Sequence, residues 1–313
     1  MLSETSRGLM AMVATCVIWG LSSIYYKLLS HVPPLEVLAH RTLWSLVFFG
    51  CVLALQGRLN LVRDILRSPR MLGLVALSGL LISVNWFFFI WSVQAGRALE
   101  ASLGYYIFPL VAVAMGAAVL GERLSPVKWS AVALVALAVA GLTWGLGVAP
   151  IVSLVLAFSF GCYGLVKRWV SAGPVVSVTT EVMLLAPLAL IWLYGAHALG
   201  WGGQGAASGA FGRNWSDTAL LMLSGPLTGG PLILFSYAGK RVTYATIGLV
   251  QYLNPTIQAV VATFIFLEPF SPWHGMAFGV IWVALALYSA ETLRNDRAAR
   301  RARVAAGTPP AGP

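Results

Sequence analysis

Ten apolar runs, each about 20 residues long, occupy most of this chain and leave few folds open to it. They cover residues 8–29, 35–56, 71–94, 99–120, 127–146, 150–170, 175–195, 217–237, 244–267 and 273–293. A helix of that length spans the hydrocarbon core of a bilayer. The runs are continuous, whereas the strands of a membrane barrel would alternate apolar and polar residues. Only 10% of the residues are charged and 59% are hydrophobic, against about 25% charged in a soluble domain. Such a chain cannot cover itself with polar surface, so the expected fold is an all-α membrane protein of ten transmembrane helices. The first run lacks a small-x-small cleavage site and nine more follow it, so it reads as a membrane helix rather than a signal peptide.

Lys and Arg set the orientation. With the N-terminus in the cytoplasm, 16 of the 20 basic residues fall on the inside and four (Lys27, Arg41, Arg97, Arg213) on the outside. Both termini are therefore expected in the cytoplasm. The net charge of +10 sits in short clusters between apolar runs, which suits an anionic lipid surface and not nucleic acid. Cys16, Cys51 and Cys162 lie inside apolar runs and suggest neither a disulfide framework nor a zinc site. His31, His40, His197 and His274 are far apart in the chain, so no metal is expected, and no cofactor or soluble-enzyme motif is present.

One stretch occurs twice. Pro109, Glu122 and Ser125-Pro126 return 146 residues later as Pro255, Glu268 and Ser271-Pro272, and Leu77-Ser78-Gly79 returns as Leu223-Ser224-Gly225. A register held without a gap marks an internal repeat. The units are residues 8–146 and 150–293, with five helices each. Because five is odd, the second copy enters the membrane from the opposite side, giving two inverted five-helix repeats, an architecture transporters use for alternating access. Each half opens with an aromatic-glycine step and a lysine: Trp19-Gly20 and Lys27, then Phe160-Gly161 and Lys167, whose ammonium is expected to snorkel to the headgroups. Residues 196–216, rich in Gly, Ala and Ser, read as a flexible outer loop, and residues 294–313 as a disordered basic cytoplasmic tail.

Polar groups inside apolar helices need partners or a function. Glu36 and His40 share a helix face beside Arg41 and read either as an outer gate recognising charge, with a proton acceptor, or as an interfacial cluster that orients the helix. Asn85-Trp86 lies mid-helix, where an amide must bond another helix, water or a ligand. Tyr105-Tyr106 precedes Pro109 as Gln251-Tyr252 and Asn254 precede Pro255. Proline frees a backbone carbonyl one turn back, so Pro109 and Pro255 are expected to act as hinges, and Asn85, Trp86, Tyr105, Tyr106, Gln251, Tyr252 and Asn254 to line a central cavity and contact substrate, the alternative for Tyr being the interfacial aromatic belt. Gln94, Arg97 and Glu100 read as solvated. Glu122 and Glu268, each before a Ser-Pro helix start, read as capping groups, while Glu181 fits either a buried or an interfacial site.

These residues together with Trp19-Gly20, His31-Val32-Pro33-Pro34-Leu35-Glu36, Ala39-His40-Arg41, Trp44-Ser45 and Gln251-Tyr252-Leu253-Asn254-Pro255 resemble the EamA-domain branch of the drug/metabolite transporter superfamily, and within it the RarD (chloramphenicol-sensitivity) subfamily. The resemblance covers about residues 8–293. It departs at Pro269, where the first half has Arg123. It implies a bacterial plasma-membrane secondary transporter that exports small metabolites, such as amino acids or amphipathic compounds, through a cavity between the halves. The expected contacts are a small-molecule substrate and lipid, with no obligate protein partner. A membrane enzyme or lipid flippase, or a non-transporting sensor, are the alternatives; neither a nucleophile–base pair nor two facing midplane carboxylates supports the enzyme.

Overall fold

In the computed structural model, residues 3–121, 123–201 and 209–305 are described, and no strand occurs among them. The helices are α1 (Glu4–Leu28), α2 (Pro34–Leu55), α3 (Leu59–Arg67), α4 (Pro69–Gln94), α5 (Ala98–Leu120), α6 (Pro126–Leu146), α7 (Ile151–Lys167), α8 (Pro174–Ala198), α9 (Trp215–Gly239), α10 (Tyr244–Gln251), α11 (Leu253–Val260) and α12 (Pro272–Ala305). Eight of them are long and apolar enough to cross a membrane, and α7 is a shorter apolar helix. The run expected as one helix over 244–267 is instead α10, α11 and a π-helical turn at Val261–Ile265. Its break at Tyr252 lies one turn before Pro255, whose ring excludes the carbonyl four residues back.

Helix boundaries follow the side chains. Proline opens α2, α4, α6, α8 and α12, where its missing N–H costs nothing. Ser3, Ser68, Ser125, Asn214 and Thr243 cap helix starts by accepting backbone N–H bonds. The short helix α3 lies in a stretch the hydropathy pattern passed over. It buries Val62 and Ile65 against Leu53, Val75, Val170 and Val176, leaving Arg63 and Arg67 on its other faces.

The packing is inverted relative to a soluble protein. Trp144, Tyr194, Phe264 and Trp282 are exposed, while Thr15, Ser45, Ser78, Thr180 and Glu181 are buried. Lipid as the outer solvent accounts for both. α1 packs between α9 and α11, and α7 between α4 and α5; α2 lies against α8 and α9, and α6 against α12. The largest core cluster joins Tyr26, Phe89, Leu103, Tyr106, Leu142, Leu156 and Ile281.

Three expectations change. α12 continues to Ala305, so residues 294–305 extend the last helix, since Ala and Arg are strong helix formers and no Gly or Pro interrupts them. The outer loop expected over 196–216 is shortened by helix at both ends, and Ala210 and Phe211 are packed on α2. Gln94 is not solvated: its amide donates to the carbonyls of Leu29 and Val32, 2.8 and 3.2 Å away, closing the end of α1. Arg97 and Glu100 do pair at the surface.

Glu268 caps a helix, though a distant one. Its two carboxylate oxygens accept the backbone N–H groups of Ala98 and Leu99, each at 2.8 Å, at the start of α5. Glu122, 146 residues earlier, lies outside the described residues. A buried carboxylate at a helix N-terminus satisfies orphan donors and meets the positive end of the dipole. Glu268→Ala is expected to lower stability by about 1–2 kcal/mol, measured by thermal unfolding in detergent.

Candidate functional site

Arg41 enters the bundle from the second turn of α2 and is buried. Its guanidinium lies 4.0 Å from the ring centroid of Trp86 on α4 and 5.7 Å from that of Tyr26 on α1. Its Nε has no hydrogen-bond partner, and no carboxylate pairs with it among the described residues. A mostly buried cation set against aromatic faces gains about 2 kcal/mol from each well-placed ring, less than the burial of a charge costs. The arrangement therefore suits an anionic group that completes it.

Asn85, next to Trp86 in the chain, is bonded to Tyr105. The Asn85 amide donates to the Leu156 carbonyl at 3.0 Å and to Ser159 Oγ at 3.1 Å, and its Oδ1 accepts the Tyr105 hydroxyl at 2.9 Å. Every polar atom of this buried amide is thus used in tying α4 to α5 and α7. Asn85→Leu leaves the Tyr105 hydroxyl without its partner and is expected to cost about 1–2 kcal/mol, read from the unfolding midpoint in detergent.

Tyr106 is one residue from Tyr105 but on another face of α5. Its hydroxyl shares a 2.5 Å hydrogen bond with Thr256, and Ser102 Oγ donates to the Pro255 carbonyl at 2.9 Å. The Thr256 hydroxyl donates to the Tyr252 carbonyl at 2.6 Å, beside the Thr256 N–H that the same carbonyl accepts at 3.2 Å. α5, with Pro109, and α11, with Pro255, are thereby joined. Gln251 and Tyr252 are half-buried at the break, and Asn254 accepts from Gln258 at 3.0 Å.

Glu36 and His40 belong to a separate group. Glu36 is buried and accepts the Ala210 N–H at 2.6 Å, and His40 stacks on Phe211 with centroids 4.8 Å apart. His40 and Arg41, adjacent in sequence, thus serve different sides of α2. The histidines are also not all distant: His197 on α8 meets Glu36 and His40.

A fourth constellation surrounds Glu181, which is fully buried. It accepts from Ser78 at 2.7 Å, Lys167 at 2.7 Å, Ser177 at 3.2 Å and Tyr163 at 3.4 Å, and Lys167 also bonds Ser177. Lys167 therefore turns inward and does not snorkel, because a buried carboxylate offers it more than a headgroup does. Tyr26, Phe211, His197 and this ion pair were missed in the sequence. The one available signal was Ser78, in the repeated Leu-Ser-Gly.

Known proteins place the chain. Residues 6–144 match the EamA-like transporter family. An uncharacterized transporter of Pseudomonas aeruginosa is 40% identical over 93% of this chain and 96% of its own length. Protein RarD of Streptomyces exfoliatus is 39% identical over 98% and 95%, and protein RarD of Escherichia coli K12 is 34% identical over 94% and 97%. A solved structure described only as "Crystal structure of protein" shares the fold at TM-score 0.59 and 18% identity, covering 90% of this chain and 96% of that one. Near-full-length identity at this level, on a bundle of apolar helices, means that the chain belongs to the EamA-like transporter family, in its RarD branch.

Proposed function

We propose that this protein is a secondary transporter that moves small amphipathic metabolites carrying an anionic group, such as a carboxylate, across the bacterial inner membrane. The carrying observation is Arg41: a buried cation with aromatic neighbours and no carboxylate partner among the described residues. An anion would be recognised by the guanidinium, and the apolar part of the substrate by Trp86 and Tyr26. Tyr106, Gln251, Tyr252 and Asn254 sit at the proline-marked joint and would sense or follow its movement, with Pro109 and Pro255 as hinges. Asn85 and Tyr105 would fix α4, which carries Trp86, against α5 and α7. The direction proposed is export.

Alternating access between two inverted five-helix repeats, 8–146 and 150–293, is the proposed mechanism. Matched packing supports it. Gly20 of α1 lies so close to Ile257 that a Cβ would come within 2.6 Å of it, and Gly161 of α7 packs on Val111, which is 146 residues before Ile257. Gly121 and Leu267, again 146 apart, both end their helical segments with left-handed backbone, φ 66° and 55°. For the cytoplasmic placement of the termini, the basic-residue count is joined by an ion pair between Glu4 and Arg241 at 2.8 Å, which puts two segments assigned to the inside on one side.

The test is flux in proteoliposomes. Labelled amino acids and small organic acids should move down an imposed gradient or by exchange, and structurally matched cations should not. If no anionic or zwitterionic solute moves under any gradient, the transporter reading fails. Turnover of lipid or substrate without vectorial movement would favour a flippase or membrane enzyme.

A further inference from the structure

We propose that Glu36, His40 and His197 form a binding site for a divalent transition-metal ion of the zinc class. Glu36 and His40 lie four residues apart on one face of α2, and His197 comes from the last turn of α8. Each offers one ligand atom, and the three atoms lie within 4.8 Å of one another. A tetrahedral zinc site with bonds of about 2.0–2.2 Å holds its ligand atoms about 3.4 Å apart, so the three groups need to close by roughly 1 Å.

His40 carries the case. The residue is 4% exposed, and neither ring nitrogen has a hydrogen-bond partner among the described residues. A neutral imidazole has one donor and one acceptor, and leaving both unpaired in a buried site costs free energy that a bound metal would offset. The ring is held flat against Phe211, so its orientation is fixed before any ion arrives. The Glu36 carboxylate is likewise aimed: Ala210 N–H holds one oxygen and leaves the other available. Such outer contacts, which orient a ligand without touching the ion, characterise built metal sites.

Gly209 closes over the group. A Cβ at that position would lie 2.5 Å from His197 Nε2 and 2.7 Å from Glu36 Oε1, so only glycine allows the backbone this approach. Beside the cluster a cavity of about 640 Å³, lined by His40, Trp44, Tyr194, His197 and Phe211 among others, provides access and room for a fourth ligand. Two imidazoles and one carboxylate select zinc, copper or nickel over magnesium and calcium, which prefer all-oxygen sites. In the sequence, 157 residues separate the two histidines.

An ion here would tie the start of α2 to the end of α8 and to residues 209–211. Under the alternating-access reading it would clamp this end of the bundle shut, so zinc would inhibit flux; that consequence rests on the proposed function, whereas binding does not. The test uses full-length protein in detergent without a polyhistidine tag, with Cys51→Ser to remove the exposed thiol, titrated with zinc against a chromophoric chelator. One equivalent should bind with micromolar or tighter affinity. His40→Gln and His197→Gln should each weaken binding at least about tenfold, while magnesium and calcium do not compete. X-ray absorption at the zinc edge of the protein with its native histidines should show two imidazole nitrogens and oxygen. No zinc binding, binding by either variant as tight as by the protein with both histidines, or sulfur in the zinc shell would each overturn the proposal. Should a variant lose its monodisperse profile, the absorption spectrum decides alone.

Discussion

Replacing Lys167 with Met should destabilise the protein by about 3 kcal/mol. Glu181 is fully buried, and the Lys167 side chain is only 20% exposed, with 2.7 Å between Nζ and Oε1. Removing the cation leaves a carboxylate in an apolar interior with hydroxyl donors only. The loss measured is then the stranded charge and not the net worth of the pair. The double variant Lys167→Met/Glu181→Gln should recover more than half of the loss, because the stranded charge is gone, the amide oxygen can still accept from Ser78, and the amide NH2 can donate to the Tyr163 hydroxyl oxygen. Denaturation in mixed micelles, run as a double-mutant cycle, measures both. If Lys167→Met were neutral, or the double variant fared worse than the single one, the ion pair would not hold α7 to α8.

Arg41→Gln should raise the half-saturation concentration for an anionic substrate at least about 30-fold, the effect of removing about 2 kcal/mol of charge recognition. Arg41→Lys should fall between, since an ammonium keeps the charge but lacks the planar fork and stacks less well on Trp86. A neutral substrate analogue separates the roles. If its flux drops equally in Arg41→Gln, the residue is packing and not recognition. Stability should not fall, because the variant removes a buried cation that has no ion-pair partner among the described residues.

Much was legible in the chain. Helix starts at Pro34, Pro69, Pro126, Pro174 and Pro272 follow from local rules that depend on no neighbour. The break before Pro255 did not follow from proline alone, since Pro109, Pro187, Pro226 and Pro231 lie inside continuous helices, nor did the change to a π-helical turn at Val261–Ile265. The family was legible too, because its motifs are short and contiguous. Harder to read were residues whose role depends on a distant helix. Glu268 sits beside a helix start of its own yet caps α5. Asn85 was expected at a cavity and is fully bonded to α5 and α7.

By its apolar runs and turn residues, the sequence alone determined an all-helical membrane protein and its family, because burial in lipid is a property of each segment taken separately. Only the tertiary structure decided that Lys167 faces Glu181, that His40 and His197 meet, and that Arg41 is left with aromatic rings. Polar pairing in a bundle depends on which faces of which helices come together, and hydropathy, which treats every face alike, holds no record of that.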